Sequence, residues 1–183
     1  MEQYSDITVF SREIEAASVS ARATERRIEA KPDERAALAE VLDLRAIDRL
    51  TATLWLRRLA SGLIEVKGEL EGEVVQTCVV TLEPVPATVR ESFRLTFGDA
   101  EPEPALDEID IHFDDSDPPE PIEDGKIDLG ALVAEQLSLA LDPYPRKEGA
   151  EIPQEYAPKP GEVTDIGTAG RRKPFEGLDK LKK

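Results

Sequence analysis

The sequence has one imidazole and one thiol, two side-chain types that serve as general base and nucleophile in many enzymes. His112 is the single imidazole, and the acidic residues around it would raise its pKa rather than prepare a neutral base. Cys78 is the single thiol, and it lies in the apolar run 74–80 with no lysine, arginine or histidine nearby in sequence to lower its pKa. We therefore expect a solvated histidine and a packed thiol.

Carboxylates are a further candidate, because they bind Mg²⁺ or Ca²⁺ through oxygen. Asp114, Asp115 and Asp117 lie close together, but residues 114–119 lack the glycine turn and the distal glutamate of an EF-hand loop. A metal-dependent nuclease would use Asp114 and Asp117, yet nothing in this proline-rich stretch fixes their separation. One cysteine is too few for a zinc site with two thiolates, and the sequence has no glycine-rich phosphate-binding loop. We expect no metal and no cofactor.

The acidic residues are concentrated in one segment. The chain of 183 residues has 23 lysines and arginines against 39 aspartates and glutamates, a net charge of −16. Residues 101–128, with twelve carboxylates and one lysine, carry −11, whereas residues 171–183 carry +4. The overall excess of negative charge opposes binding to DNA, and binding to RNA over a broad surface. A local contact with RNA, or a basic protein partner, stays open.

The two charged regions are therefore the candidate partner-binding sites. The acidic segment would attract a lysine- and arginine-rich protein by complementary charge, through Asp114, Asp115 and Asp117. The basic C-terminus would instead contact RNA phosphates. Its candidate residues are Arg171, Arg172, Lys173 and Phe175.

The sequence also favours one cellular compartment. No run approaches the roughly 18 apolar residues of a membrane span, and the N-terminal residues lack the basic start of a signal peptide. A single cysteine cannot form an internal disulfide, which favours a reducing compartment. We expect a cytoplasmic protein with no membrane partner, and its oligomeric state stays open.

The strands that must position these residues follow from period-two alternation. It predicts strands over 50–56, 64–70, 74–81 and 89–97, with a turn at 61–62 and a break at 71–73. Pro84 and Pro86 must lie in a turn or along a sheet edge, because proline cannot donate to a central ladder. Shorter strands are expected within 7–27 and at 109–113. Four consecutive strands with short connections predict an antiparallel meander, either a curved sheet or a partly closed barrel.

Helical periodicity predicts two helices. One runs over 32–42 and begins with Pro32 at its first position. The other runs over 129–141, is N-capped by Asp128, covers the sheet and is ended by Pro143 and Pro145. The fold class is therefore α+β. We expect a single domain over 1–145, with an acidic, proline-rich insertion at 101–128, followed by an extended tail over 146–183.

An ordered set of short motifs from about Leu50 to the C-terminus is similar to the YceD family. It comprises the segment 77–84 (TCVVTLEP), a strand ending at Phe97, the acidic stretch, and the helix that 127–129 (IDL) opens. A Pro-x-Pro step at 143–145 and a final 173–175 (KPF) complete the set. The residues that can be placed on the family motif are Cys78, Leu82, Glu83 and Pro84.

The resemblance implies a bacterial factor, with plant plastid relatives, that is needed for large-subunit ribosomal RNA to accumulate. It implies no enzymatic activity, and partners that are ribosomal RNA, a basic ribosomal protein or both. In the family pattern the cysteine is followed by an arginine and a second cysteine, but Val80 and Thr81 occupy those two places here. A metal site or redox pair is therefore not carried over, and we expect the motif residues to be structural. The alternative function is an acidic protein–protein adaptor unrelated to ribosomes.

Overall fold

The structure, a computed structural model, describes residues 9–98 and 118–151. Contacts divide the chain into the units Met1–Glu148 and Gly149–Lys183. The predicted strand at 109–113, His112 and most of the acidic segment lie outside the described residues. The domain bounds inferred from the sequence, 1–145 and 146–183, stay predictions.

Six strands and two helices make up the described part of the first unit. In chain order they are β1 (Glu13–Glu15), β2 (Thr24–Glu29), α1 (Pro32–Val41), β3 (Ala46–Arg58), β4 (Ile64–Thr77), β5 (Pro84–Phe97), β6 (Lys126–Asp128) and α2 (Leu129–Ala140). A 3-10 turn at Ala16–Ser18 follows β1. Neither helix is long and apolar enough to cross a membrane, a finding that covers the described residues only.

The four longer strands form an antiparallel sheet in the order β2-β3-β4-β5, which confirms the α+β class and an antiparallel meander. Its strands differ from those expected, because the predicted strands 64–70 and 74–81 both fall on β4 and the fourth strand is β2. Within the described residues β2 and β5 are edge strands that do not pair with each other, so the barrel alternative is wrong and the sheet is open. Pro84 and Pro86 lie at the start of β5, on an edge as expected for residues without an N–H donor.

The predicted break at 71–73 is wrong. β4 runs without interruption through Gly72, which pairs with Leu50 on one side and Val89 on the other. A Cβ at position 72 would lie 3.2 Å from Cδ1 of Leu137 in α2. The glycine therefore allows the helix to approach the sheet closely, and the flanking glutamates mark the other face of the strand rather than a turn.

The predicted short strands of the N-terminal region are β1 and β2. β2 is the edge strand of the large sheet and pairs with β3, from Thr24 opposite Leu56 to Glu29 opposite Thr51. β1 pairs antiparallel with β6 in a separate two-stranded sheet. This pairing joins the C-terminal end of the acidic segment, residues 126–128, to residues 13–15.

Both helices begin at the residues expected from their capping signals. Pro32 occupies the first turn of α1, and the Asp128 carboxylate accepts hydrogen bonds from the backbone N–H groups of Gly130 and Ala131 at the start of α2. Leu38 of α1 and Leu137 of α2 are fully buried in the same core. Val41 of α1 is 39% exposed.

The sheet has one core face and one outer face. The core face carries alternate residues of β3 and β4, among them Leu54, Leu56, Ile64 and Val66, which pack with the buried residues of the helices. The intervening residues, including the Arg57–Glu65 pair, lie on the outer face because successive side chains point to opposite sides. Among the described residues both helices pack on the core face, and neither covers this polar face.

Candidate functional site

The motif residues form the connection between β4 and β5, residues 78–83, which we call the Cys78 loop. The N–H of Cys78 donates to the carbonyl oxygen of Glu83 at 2.8 Å, and the N–H of Leu82 donates to that of Cys78 at 3.0 Å. Leu82 has a φ of 59°, a left-handed conformation that few non-glycine residues adopt. The Nη2 of Arg45 holds this residue by donating to its carbonyl oxygen at 2.5 Å. The loop is therefore a fixed turn.

The segment that follows α2 fastens to the Cys78 loop. The N–H of Val79 donates to the carbonyl oxygen of Pro145 at 2.9 Å, and the Nζ of Lys147 lies 2.9 Å from Oε1 of Glu83. The Nε2 of Gln76 donates to the carbonyl oxygen of Asp142 at 2.8 Å. Two parts of the family motif that are more than sixty residues apart, the cysteine segment and the Pro-x-Pro step, therefore meet in one place.

The Cys78 thiol is the centre of this junction. It is fully buried, and its sulfur accepts from the N–H of Lys147 and from the N–H of Thr81, each at 3.4 Å. The Lys147 N–H, followed by the hydroxyl and the N–H of Thr81, lowers the thiol pKa to about 6, although burial acts in the opposite direction. The burial agrees with the sequence expectation, whereas the lowered pKa comes from donors that the local sequence did not indicate.

Three apolar side chains are exposed around the same junction. Val79 and Leu82 of the loop are 47% and 68% exposed, and Tyr144 of the Pro-x-Pro step is 72% exposed. Pro84, which ends the motif, opens β5 at the sheet edge. Of the four motif residues, Cys78 is therefore buried, whereas Leu82, Glu83 and Pro84 face solvent.

The outer face of the sheet holds a second cluster of interest. Trp55 pairs with Lys67, which in turn pairs with Arg94, so the three residues form one row across β3, β4 and β5. Trp55 is half-buried, whereas Lys67 and Arg94 are exposed. We call this row, together with Arg57 and Glu65 beside it, the Trp55 row.

Glu65 is a buried carboxylate between two arginines. It is 1% exposed, its Oε2 accepts from Nε of Arg57 at 2.5 Å, and its Oε1 forms an ion pair with Nη2 of Arg94. The hydrogen bond from Arg57 lowers its pKa, against burial, and the charge of Arg94 adds to the effect. One carboxylate thus holds two guanidinium groups that are themselves 45% and 62% exposed.

The other half of the outer face is acidic. Glu71 accepts from Nε of Arg90 at 2.9 Å and lies 3.7 Å from Nη1 of Arg49, with Glu69 and Glu73 exposed nearby. A shallow depression of about 330 Å³ opens here. Its polar lining includes the carboxylates of Glu69 and Glu71, which would repel a phosphate.

The predicted partner-binding residues cannot be placed relative to the Cys78 loop or the Trp55 row and stay predictions. Asp114, Asp115 and Asp117, and likewise the basic set 171–175, lie outside the described residues. In the part of the chain that is described, no group of three or more His, Cys, Asp or Glu side chains is arranged to hold a metal ion.

Comparison with known proteins identifies the family. The model of the YceD family, described as "Large ribosomal RNA subunit accumulation protein YceD", matches residues 66–182. The chain belongs to the YceD family. Neither the curated proteins nor the solved structures include a match. The match covers β4 from residue 66 onward, the Cys78 loop, β5, β6 and α2, and the family description indicates a ribosome-related role for an accumulation factor.

The Trp55 row is the feature that sequence reasoning missed. The signal for it was a tryptophan on the polar phase of a strand, since Trp55 alternates with the buried Leu54 and Leu56. On β5, Phe93 packs against the core while Arg94 lies on the outer face. The contribution of β3 and β4 to that face required the strand register.

Proposed function

We propose that this YceD protein is a cytoplasmic, non-enzymatic factor of large ribosomal subunit biogenesis. It supports the accumulation of large-subunit ribosomal RNA by binding ribosomal RNA, a basic ribosomal protein or both. The observation that carries the proposal is the family match over residues 66–182, more than half of the chain. The family description names the RNA whose level depends on the protein, and the binding partners are our inference.

The charge distribution supports two kinds of contact. Residues 101–128 carry −11, a field that would steer a lysine- and arginine-rich ribosomal protein toward the chain. The cations of residues 171–183 would reach RNA phosphates, and the affinity of such a contact falls steeply as salt releases its counterions. Added salt should weaken both contacts, so salt does not distinguish an RNA partner from a basic protein partner. Nuclease treatment does, because it removes only the RNA.

The Cys78 loop supports a structural role for the family motif. Its hydrogen bonds join the β4–β5 connection to Pro145 and Lys147, so the motif residues stabilise a junction between distant parts of the chain. The buried thiol accepts two N–H groups, and the chain has no second cysteine with which it could form a redox pair. A structural motif of this kind fits a binding factor better than an enzyme.

The experiment that tests the proposal is capture of the full-length chain from cells, with the bound RNA and proteins identified before and after nuclease treatment. We expect large-subunit ribosomal RNA, a basic ribosomal protein or both, and a lowered large-subunit level when the gene is deleted. Sedimentation of the extract should place the protein in ribosomal or pre-ribosomal fractions. Exclusion from those fractions, together with normal large-subunit levels after deletion, would favour the acidic adaptor and overturn the proposal.

Two charge variants distinguish the predicted sites. Amide substitution of all three aspartates should weaken capture of a basic protein: Asp114→Asn, Asp115→Asn and Asp117→Asn. Its matched control replaces three other acids of the same segment: Glu101→Gln, Glu103→Gln and Asp107→Asn.

The tail variant should weaken RNA capture, because it removes cations that would contact phosphates. It combines Arg171→Ala, Arg172→Ala and Lys173→Ala, with Phe175→Ala made separately. The matched control removes the same charge from the same segment by Lys180→Ala, Lys182→Ala and Lys183→Ala. Equal losses in variant and control would show that total charge, and not the predicted residues, determines binding.

A further inference from the structure

The Trp55 row combines an aromatic side chain with three cations on an open sheet face. Trp55, Lys67 and Arg94 follow one another on adjacent strands, which are about 4.8 Å apart, and Arg57 lies two residues beyond Trp55 on the same face. The helices do not occupy this face, since their buried side chains pack with the core residues on the opposite side of the sheet.

Glu65 fixes the two arginines without neutralising the row. Three cations face one carboxylate, so the row carries a net charge of +2 in a chain of −16. The two arginines share Glu65 and remain 45% and 62% exposed, so donors on both guanidinium groups stay accessible to solvent. The ion pairs also limit the rotamers of these long side chains, which lowers the entropy lost when a ligand binds.

The charge pattern selects the ligand. Glu69 and Glu71 lie on the acidic half of the outer face. Glu25 of β2 pairs with Trp55 and so lies beside the row, but its carboxylate forms an ion pair with Arg27. The Trp55 row therefore stays basic and fits an anionic partner better than a basic protein. A half-buried tryptophan beside cations is the arrangement that stacks an unpaired base while the neighbouring phosphates are neutralised. A duplex offers no free base to stack, which favours a single strand.

We propose that the Trp55 row binds single-stranded RNA, with Trp55 stacking on one base and Arg57, Lys67 and Arg94 contacting the adjacent phosphates. The inference rests on the proposed function and assigns the RNA contact to the sheet, in addition to the basic tail. The face is short, so it holds a few nucleotides rather than a long site.

Trp55 reports on its own occupancy, because it is the only tryptophan in the chain. The full-length protein is titrated with a single-stranded oligouridylate of about 12 nucleotides, a length within the range that one binding sheet covers. We expect saturable quenching of the tryptophan fluorescence that weakens as salt is raised. An RNA duplex of the same length, titrated in parallel, should quench less.

Variants assign the contact to the row, with affinity measured by anisotropy of a labelled oligouridylate. Trp55→Leu should weaken binding roughly 5- to 150-fold, the range for loss of one stacked base, whereas Trp55→Phe should retain most of it. Lys67→Ala should weaken binding and reduce the salt slope by about one. Lys67 is exposed, so this variant keeps the fold even if the tryptophan variants do not. Arg90→Ala, an exposed arginine on the acidic half of the same face, is the matched control and should bind as the wild type does.

The outcomes separate the inference from the function on which it rests. Binding of oligouridylate with unchanged tryptophan fluorescence and equal affinity for Lys67→Ala and Arg90→Ala would overturn the Trp55 row and leave the proposed function standing. Capture of a basic ribosomal protein without any binding of oligouridylate would likewise overturn RNA binding at the Trp55 row and leave the proposed function standing. Loss of ribosomal association altogether would overturn the proposed function.

Discussion

The Asp128 carboxylate joins the start of α2 to the N-terminal segment, and its removal should destabilise the domain measurably. Its Oδ1 accepts three backbone N–H groups, from Gly130 at 2.9 Å, from Ala131 at 3.2 Å and from Arg12 at 2.7 Å. The first two are donors of the first helical turn, which have no partner within the helix. The third belongs to the chain just before β1. Asp128→Ala removes all three hydrogen bonds at once.

The magnitude follows from these contacts. Loss of an N-cap costs about 1 kcal/mol, and a partly buried N–H left without a partner costs about 1–3 kcal/mol. The expected loss in the free energy of unfolding is therefore about 2–4 kcal/mol, which is a large share of the roughly 5–15 kcal/mol of a typical domain. Asp128→Asn keeps an acceptor oxygen in the same place, and asparagine caps helices about as well as aspartate. It should lose less than about 1 kcal/mol.

Urea unfolding measures the stability loss of each variant. The transition is monitored by the fluorescence of Trp55, the single tryptophan, and by the circular dichroism of the helices. The midpoint should fall in Asp128→Ala and stay near that of the wild type in Asp128→Asn, with similar m values. If the two variants lose the same stability, or if Asp128→Ala loses less than about 0.5 kcal/mol, the three hydrogen bonds do not act as described.

Three further predictions concern other parts of the same domain. Glu34 accepts two hydrogen bonds from Arg12, at 2.8 and 2.9 Å, and this partner lowers its pKa to about 2. The stabilisation that this ion pair gives the folded state is therefore present above about pH 4.5 and is lost as pH falls toward 2. Urea unfolding should show a larger stability difference between wild type and Glu34→Gln at pH 7 than at pH 3. The Cys78 thiol has a lowered pKa but is fully buried. Iodoacetamide, followed by mass spectrometry, should therefore label it slowly in the native protein and rapidly in urea. Rapid labelling of the native protein would contradict the burial. Gly130→Ala places a Cβ against the carbonyl oxygen of Phe10, so its melting temperature should fall well below that of a substitution on the exposed side of α2, and an unchanged value would refute the close approach.

Features set by neighbouring residues could be predicted from the sequence. Pro32 and Asp128 mark helix starts because capping depends on a few adjacent positions. The alternation over 50–56 and 89–97 gives the core face of β3 and β5, because side-chain direction reverses at every residue of a strand. Pro84 and Pro86 correctly indicate an edge, since the missing N–H excludes a central position.

Features set by distant residues could not be predicted. Gly72 between two glutamates resembles a turn, and only the packing of Leu137 of α2 explains why a glycine lies inside β4. Cys78 has no basic neighbour in the sequence, and its pKa is lowered by the N–H of Lys147, 69 residues away. Glu65 follows the polar phase of its strand and looks solvated, yet two arginines from the neighbouring strands bury it.

RNA binding also depends on which residues the fold brings together, and the net charge of the chain does not show this. At physiological ionic strength a charge is largely screened beyond about 8 Å, so a phosphate near Lys67 responds mainly to the charged groups within that distance and only weakly to the net charge of the chain. Those groups are brought together by the register of β3, β4 and β5, which places Trp55, Lys67 and Arg94 in one row. The acidic total therefore opposes nonspecific coating by nucleic acid while it leaves a small basic site effective. A chain of −16 that carries a +2 row would bind RNA weakly in general and select single strands that can place a base on Trp55.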